Sequence, residues 1–405
     1  MSRAHYDGAW RRRVTAEAGE VGQTPSVTST PAADLCVEVR SSLANLAPEW
    51  DQIAGATPLP SAFCRSWWID HAAGSTPSIV CCLRGDRLIG GAAFEVETVA
   101  RGPVRLERIR ALGQGVLAPD HIDIVAAVED ADVVLDAVLG WLRRPGNRIV
   151  DLDGLAADGR LGRALAAYWI DRTVAPYADL HPVDADPDAP ANVDASAYLA
   201  GRPGQLRSTV ERSRKRLERD GCSIERVPLS HVDAALESLE RLHDRRWGED
   251  SNFLDAWDRF AAAARAATDA DLWIGEVRTA DGEVVATEWD VLTPSSFAFY
   301  QSGRSPEREW RGAGSVLRAN LIHAAAESGR DQYDLLRGDE RYKDDWATDR
   351  RWLLRVRFGS GPVGRLAATS AAVWRSVAPV VERLRGRIAD RRSPAVSREP
   401  APRPR

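Results

Sequence analysis

Apolar positions along this chain switch repeatedly between a spacing of two and a spacing of three to four, and each switch marks a change between strand and helix. Leu35 to Val39 alternates as a short strand, and Leu43, Leu46 and Trp50 recur at helical spacing within Ser42 to Ala54. Ser78 to Arg84 and Arg87 to Glu95 flank the turn pair Gly85-Asp86, which predicts an antiparallel hairpin. Strands near Arg105 to Ala111 and His121 to Ala126 follow, then a helix from Ala131 to Leu142. A short strand, Ile149 to Leu152, and a helix around Leu161 to Trp169 complete a first module of mixed order.

The stretch Val183 to Ala191 breaks the pattern: Pro187 and Pro190 sit among Asp184, Asp186 and Asp188, a linker composition. Beyond it, Gln205 to Arg219 reads as a helix with Leu206, Val210 and Leu217 facing inward and a strongly basic remainder. A strand Cys222 to Val227 and helices Val232 to Trp247 and Leu254 to Ala267 come next. Three strands follow, Leu272 to Arg278, Glu283 to Val291 and Phe297 to Ser302. A helix from Ala313 to Ser328, a strand Gln332 to Leu336, a charged segment Gly338 to Trp346 and a strand Trp352 to Phe358 close the series.

This order predicts an α/β (α+β) protein of two tandem modules, residues 34–182 and 201–360, each a mixed central sheet flanked by helices and joined by a linker, 183–200. An amphipathic C-terminal helix is expected over 361–390, and residues 1–33 and 391–405 are expected to be disordered. A length of 405 residues fits two domains.

Composition narrows the chemistry. No run of about 18 apolar residues could span a bilayer and no signal-peptide core follows Arg11-Arg12-Arg13, so a soluble, cytoplasmic protein is expected. The net charge is −5, and Lys215 and Lys343 are the only lysines against a large excess of arginine. Five cysteines without C-x-x-C spacing read as buried free thiols, and seven histidines without an H-x-x-x-H pair argue against a metal site. No Gly-x-Ser-x-Gly elbow is present, which disfavours a serine hydrolase.

The most informative stretch is Trp310-Arg311-Gly312-Ala313-Gly314-Ser315-Val316-Leu317, which follows strands and opens a helix. Glycines at a helix start let backbone N–H groups close on a phosphate, and the helix dipole attracts the same anion. Arg311, Gly312, Ala313, Gly314 and Ser315 are therefore the expected phosphate-binding residues.

Glu309-Trp310-Arg311-Gly312-Ala313-Gly314 resembles the (Arg/Gln)-x-x-Gly-x-(Gly/Ala) loop with which GNAT acyltransferases grip the pyrophosphate of acyl-coenzyme A. Glu309 departs from that pattern, so either Arg308 or Arg311 supplies the positive contact or the donor is bound less conventionally. Tyr300 to Gly303, the glycine loop, Ala324 to Gly329 and Tyr333 to Trp346 occur in the order of the BioF2-like or CelD-like acetyltransferase branch, which is similar in fold to the FemAB aminoacyl transferases. The likeness covers residues 203–346 well and the first module loosely.

The resemblance implies two GNAT-like modules and an acyl-CoA-dependent N- or O-acyltransferase. Its acceptor would be an amine or hydroxyl in cell-envelope or polysaccharide metabolism, and no metal is needed. Acyl transfer needs a base for the nucleophile and an acid for the leaving thiolate. Asp339 or Glu340 is the expected base or substrate anchor, Tyr342 the proton donor and Lys343 the charge that offsets donor or oxyanion. Glu288 and Asp290, sharing one strand face, are secondary bases, and the helix ending in His243, Arg245 and Arg246 resembles the substrate-facing helix of the group. Two alternatives stand beside this reading. One is FemAB-like transfer from aminoacyl-tRNA, with the basic helix Gln205 to Arg219 holding RNA. The other is a non-enzymatic binding module, tethered or membrane-associated through its last helix. No DNA partner is expected.

Overall fold

The computed structural model describes residues 35–57, 60–101, 104–180 and 195–369. Its strands are β1 (Leu35–Arg40), β2 (Thr76–Arg84), β3 (Arg87–Arg101), β4 (Val104–Ala111), β5 (Val125–Ala126), β6 (Arg148–Ala156), β7 (Trp169–Asp179), β8 (Ser223–Val227), β9 (Leu272–Arg278), β10 (Val284–Leu292), β11 (Ser296–Arg304), β12 (Gln332–Asp334) and β13 (Asp349–Ser360). Its α-helices are α1 (Ala47–Ala56), α2 (Ser66–Ile69), α3 (Ala131–Leu142), α4 (Arg160–Leu165), α5 (Ala195–Ala200), α6 (Gly204–Arg219), α7 (Val232–Trp247), α8 (Trp257–Ala266), α9 (Ala313–Glu327) and α10 (Arg341–Trp346), and residues 361–369 are also helical.

The strands form one mixed sheet in the order β1-β2-β3-β4-β6-β13-β7-β12-β11-β10-β9-β8, with β5 paired to β3. Helices flank this sheet, so the expected mixed α/β architecture is present. The last strand, β13, does not stay beside the strands that precede it in sequence. It inserts between β6 and β7 and pairs antiparallel with both, for example through Arg357↔Asp151 and Leu353↔Thr173.

Alternation along β10 divides the layers. Trp289 and Val291 join one apolar cluster with Trp50, Trp68, Phe94 and Phe260, and the aromatic rings of Phe63 and Trp68 meet Tyr300 of β11 at centroid distances of 5.2 and 5.7 Å. On the other face, α6 and α9 bury Leu206, Val210, Val316, Leu317 and Ile322 against Val277, Val285 and Phe297.

Several expectations need correction. β7 covers Trp169–Asp179, where the pattern was read as the end of a helix and then the module's last residues. Asp171, Arg172 and Thr173 hide its period, and Pro176 reads as a strand breaker. Pro176 is tolerated because it faces Leu335 just beyond the end of β12: its carbonyl accepts from Leu335 N, and its ring removes only the reciprocal bond at that ladder end, leaving the pairing with β13 untouched. The helix expected to reach Trp169 ends at Leu165 with a short 3-10 turn behind it. The strand expected over His121 to Ala126 is ordered as such only at Val125–Ala126. The charged segment before β13 contains α10. Cys36 is exposed, although Cys81 and Cys82 are buried as expected and no cysteine is in a disulfide. The expected linker lies outside the described residues up to position 194, and its remainder, Ala195–Ala200, is α5; both expected disordered ends lie outside them, as does most of the expected C-terminal helix.

Candidate functional site

The site begins where two parallel strands part. β11 pairs with β12 only through Ser296↔Gln332, Phe297↔Tyr333 and Ala298↔Asp334. After Ala298, β11 stays on β10, with a bulge opposite Trp289 and Asp290 that makes Tyr300 the extra residue. After Asp334 the other chain turns away: Leu336 N donates to Asp334 Oδ1 at 2.7 Å, Gly338 N donates to Val174 O at 2.9 Å, and Leu336 holds φ +54°. A gap opens between Phe299–Gly303 and the segment 335–338.

At the open end of the gap sits the start of α9. Gly312 is its N-cap at φ +92°, and a Cβ there would overlap Ser213 Oγ of α6, so both backbone and packing demand glycine. The first-turn N–H groups of a helix have no intrahelical acceptor, and they gather around Gly312, Ala313 and Gly314. The Arg216 guanidinium donates to Arg311 O, which ties the basic helix α6 to the loop. Arg304, at the end of β11, lies 3.9 Å through Cδ from a Cβ built on Gly314. Arg304, Arg308 and Arg311 are exposed and have no ion-pair partner among the described residues, whereas the nearby Glu307 is taken up by Arg245. The electropositive contacts that Glu309 does not provide are thus present around the loop, with Arg304 added to the two that the sequence suggested.

Beneath the loop, α9 is fixed by a buried polar network. Arg318 is 8% exposed and grips Glu288 of β10 with two bonds, Nε to Oε1 at 3.1 Å and Nη2 to Oε2 at 2.9 Å. Tyr333 Oη donates to Glu288 Oε1 at 2.7 Å and contacts Asp290 Oδ1 at 3.3 Å. Burial and the charge of Glu288 push the Asp290 carboxyl well above the usual carboxylate range. Burial lowers the Arg318 guanidinium, but Glu288 outweighs it and the net shift is upward. Glu288 and Asp290 do share one face as expected; both are enclosed behind α9 and engaged with Arg318 and Tyr333. The Arg318 guanidinium also lies 3.8 Å from the Phe299 ring centroid and 5.4 Å from that of Tyr342.

The four residues expected to be catalytic fall in different settings. Tyr342, 42% exposed, stands beside Arg318, and burial raises its phenol. Lys343 is 4% exposed; Nζ donates to Leu336 O at 3.3 Å and to Arg337 O, and pairs with Glu340 at 3.2 Å. Burial lowers its ammonium, and Glu340 partly restores it. Glu340 is exposed and curls back over Gly338, and Asp339 is exposed on the same turn. Lys343 therefore closes the turn 336–340, and the two acids sit on its outer side. His243 is buried against Phe253, with Nε2 2.8 Å from Ser251 Oγ, and burial lowers its ring.

Residues missed by the pattern complete the setting. Arg337 carries the turn, with its guanidinium on Asp120, on Asp153 at 3.1 Å and on Pro119 O at 2.7 Å. Arg318 had one signal in the sequence: a lone arginine inside Val316-Leu317-Arg318-Ala319, on a helix apolar nearly all round, demands a buried carboxylate partner. Arg337 and Arg304 had no comparable signal.

The parting parallel strands and the glycine-capped start of α9 both lie in a stretch that matches a known family. Residues 204–344 match the family described as acetyltransferase (GNAT) domain. Among solved structures, FemX is 12% identical, with 76% of this chain and 96% of that chain covered and a TM-score of 0.52. A tandem GNAT protein from the clavulanic acid biosynthesis pathway is 12% identical over 81% of this chain and 99% of that one, with a TM-score of 0.42. L-PGS from Bacillus licheniformis is 12% identical over 70% and 85%, with a TM-score of 0.41. No curated protein sequence matches. This chain has a GNAT-superfamily, FemAB-like fold. Among the described residues there is no cluster of potential metal ligands and no helix long and apolar enough to cross a membrane.

Proposed function

We propose that the protein is an acyltransferase that takes acyl-coenzyme A as donor and an amine or hydroxyl as acceptor. The pantetheine arm would lie in the gap between β11 and the segment after β12, and the pyrophosphate would rest on the N–H groups from Gly312 to Ser315. The observation that carries this reading is the convergence of the gap, the glycine cap forced by Ser213, and the unpaired Arg304, Arg308 and Arg311 at one end of β11. An anion there gains the helix dipole and three cations with no competing carboxylate partner.

Tyr342 suits the proton donor to the leaving thiolate, since its hydroxyl borders α9 one to two turns from the loop. Lys343 and Glu340 hold the turn that forms one wall of the gap, and Asp339 or Glu340 would meet the acceptor from outside it. A cell-envelope or polysaccharide acceptor and membership of the BioF2-like or CelD-like branch belong to this reading. Transfer from aminoacyl-tRNA is the competing reading, and the basic α6 beside the loop is what favours it.

Calorimetry of the full chain with acetyl-coenzyme A tests the proposal. Saturable binding that G314W removes is the expected result. Absent donor binding, together with salt-sensitive RNA binding lost on neutralising Arg212, Arg214 and Arg216, would transfer the assignment to the tRNA-dependent reading.

A further inference from the structure

A cavity of about 250 Å3 lies at the closed end of the gap, where β11 and β12 are still paired. Its lining includes Ala298, the last β11 residue on β12, and Leu336, which follows the point of parting. From Arg304 back to Ala298 is six residues, about 20 Å of strand. A pantetheine arm laid along β11 from the phosphate loop therefore carries its thioester toward this cavity.

The far wall comes from the first half of the chain and brings a histidine. His121 Nε2 lies 2.9 Å from Asp334 Oδ2, and Asp334 is also 3.3 Å from Arg351 Nη1. Nε2 is enclosed and faces the Asp334 carboxylate, so Nδ1 is the ring nitrogen left for a ligand. His121 is held at φ +55°, a conformation that costs energy for a non-glycine residue and recurs at functional sites. Burial lowers the ring, but the Asp334 charge and hydrogen bond outweigh it, and the net shift is above the usual imidazole range.

The remaining lining points to the ligand. Thr293, Ser295 and Ser296 present hydroxyls, with Thr293 Oγ1 2.8 Å from Ser296 Oγ. Hydroxyls donate and accept, which suits a polyhydroxylated molecule. Arg351 pairs with Asp334 at 3.3 Å and donates to Gln332, and Asp334 also faces the His121 ring. Asp158 at the rim has no ion-pair partner among the described residues, so with His121 neutral, as a base must be, it leaves one negative charge beyond the Arg351–Asp334 pair. That favours a cationic or amine-bearing occupant.

We propose that this cavity is the acceptor pocket, that it takes a small polyhydroxylated amine of the amino-sugar class, and that His121, oriented by Asp334, is the base. The inference rests on the acyl-coenzyme A reading of the gap. The acceptor nitrogen or hydroxyl attacks the thioester carbonyl and gives its proton to His121 Nδ1. The new N–C or O–C bond forms as the C–S bond breaks, and the thiolate leaves as coenzyme A thiol after taking up a proton.

The test uses the full chain, with glucosamine as probe, S296W to fill the pocket, and H121N to remove the base. Asparagine tolerates the left-handed backbone and keeps a donor toward Asp334, so H121N is expected to fold. Saturation-transfer NMR should detect glucosamine bound to wild type and not to S296W. Thiol release from acetyl-coenzyme A with glucosamine should fall about 10²-fold or more in kcat for H121N, with donor Kd unchanged by calorimetry. No glucosamine binding to wild type overturns the acceptor class, and H121N turnover within threefold of wild type overturns the base. If glucosamine binds but acetyl-coenzyme A does not, the donor reading falls and takes the proton-transfer role with it, while the pocket stands.

Discussion

The pair of Glu288 and Arg318 anchors the helix that carries the phosphate loop, so its removal has a calculable cost. Glu288 is 1% exposed and Arg318 8% exposed, and each satisfies the other through two bonds. Replacing one partner of a buried pair costs about 3–5 kcal/mol, because the other charge is left in a medium that cannot solvate it. For E288Q the loss should fall at the lower end, about 3 kcal/mol. Burial and the Glu288 charge both raise the Asp290 carboxyl, so losing that charge eases its ionisation and lets it partly compensate Arg318 through the network around Tyr333. E288Q/D290N removes this reserve and should lose about 5 kcal/mol. The apolar exchange E288L/R318M leaves no uncompensated charge and should lie within about 1 kcal/mol of wild type. Urea unfolding at pH 7 measures all of these. At an m-value of about 3 kcal/mol/M, E288Q moves the midpoint down by about 1 M. If E288Q and R318M each stayed within about 1 kcal/mol of wild type, or the apolar double variant lost as much as the singles combined, the view of this pair as the anchor of α9 would be wrong.

Three further outcomes follow from other sites. G312A must hold a left-handed backbone and displace Ser213, so it should lose about 1–2 kcal/mol and weaken acetyl-coenzyme A binding at least tenfold; G312A/S213G should relieve only the overlap, as calorimetry would report. Because the Asp290 carboxyl is raised, the native state holds its proton more tightly than the unfolded chain, and this group's contribution to stability declines as pH rises above the ordinary carboxylate range. D290N, which has no proton to lose, should gain on wild type over that interval in denaturation at pH 4, 6 and 8. Cys36 is exposed, whereas burial pushes the Cys64, Cys81 and Cys82 thiols up to about 11, so a disulfide reagent at pH 8 should modify Cys36 in the native protein and leave those three unreacted until it unfolds.

Local periodicity carried much of the fold. The helices Ala131–Leu142 and Val232–Trp247 have the bounds that their apolar spacing predicts, and the hairpin of β2 and β3 turns at Gly85-Asp86 as expected. The loop Arg311 to Ser315 was legible because its signal is local: a glycine, a turn and a helix start within five residues. β7 was not, since its neighbours on both sides come from residues 332–360 and its charged face shows no period of its own. The same reason hid Arg337 and His121. Asp120 and Arg337 are 217 positions apart in the chain, and the turn they hold exists only once both halves have folded. Asp339 and Glu340 were placed beyond a strand end correctly, but the capture of Glu340 by Lys343 three residues later follows from α10, which charge density had disguised as loop.

The position of β13 bears on how the two halves depend on each other. Its twelve residues come last among the described strands, yet they pair on one edge with β6 and on the other with β7. Asp151 of β6 is fully buried and accepts from Arg355 and Arg357 of β13, and these arginines with Arg108 hold its carboxyl below the usual range. Without β13, Asp151 keeps only Arg108 among the described residues, and β6 and β7 each face water along a full strand edge. Without β6 and β7, β13 is an unpaired strand, open to association with any other edge. A fragment of residues 195–360 is therefore expected to aggregate or to leave β13 unfolded, and the full chain is expected to unfold in a single transition in which intrinsic fluorescence and far-UV circular dichroism coincide. Two separated transitions, or a soluble 195–360 fragment with native-like circular dichroism that binds acetyl-coenzyme A as tightly as the full chain, would mean that the strand exchange adds little and that the second half is a free-standing domain.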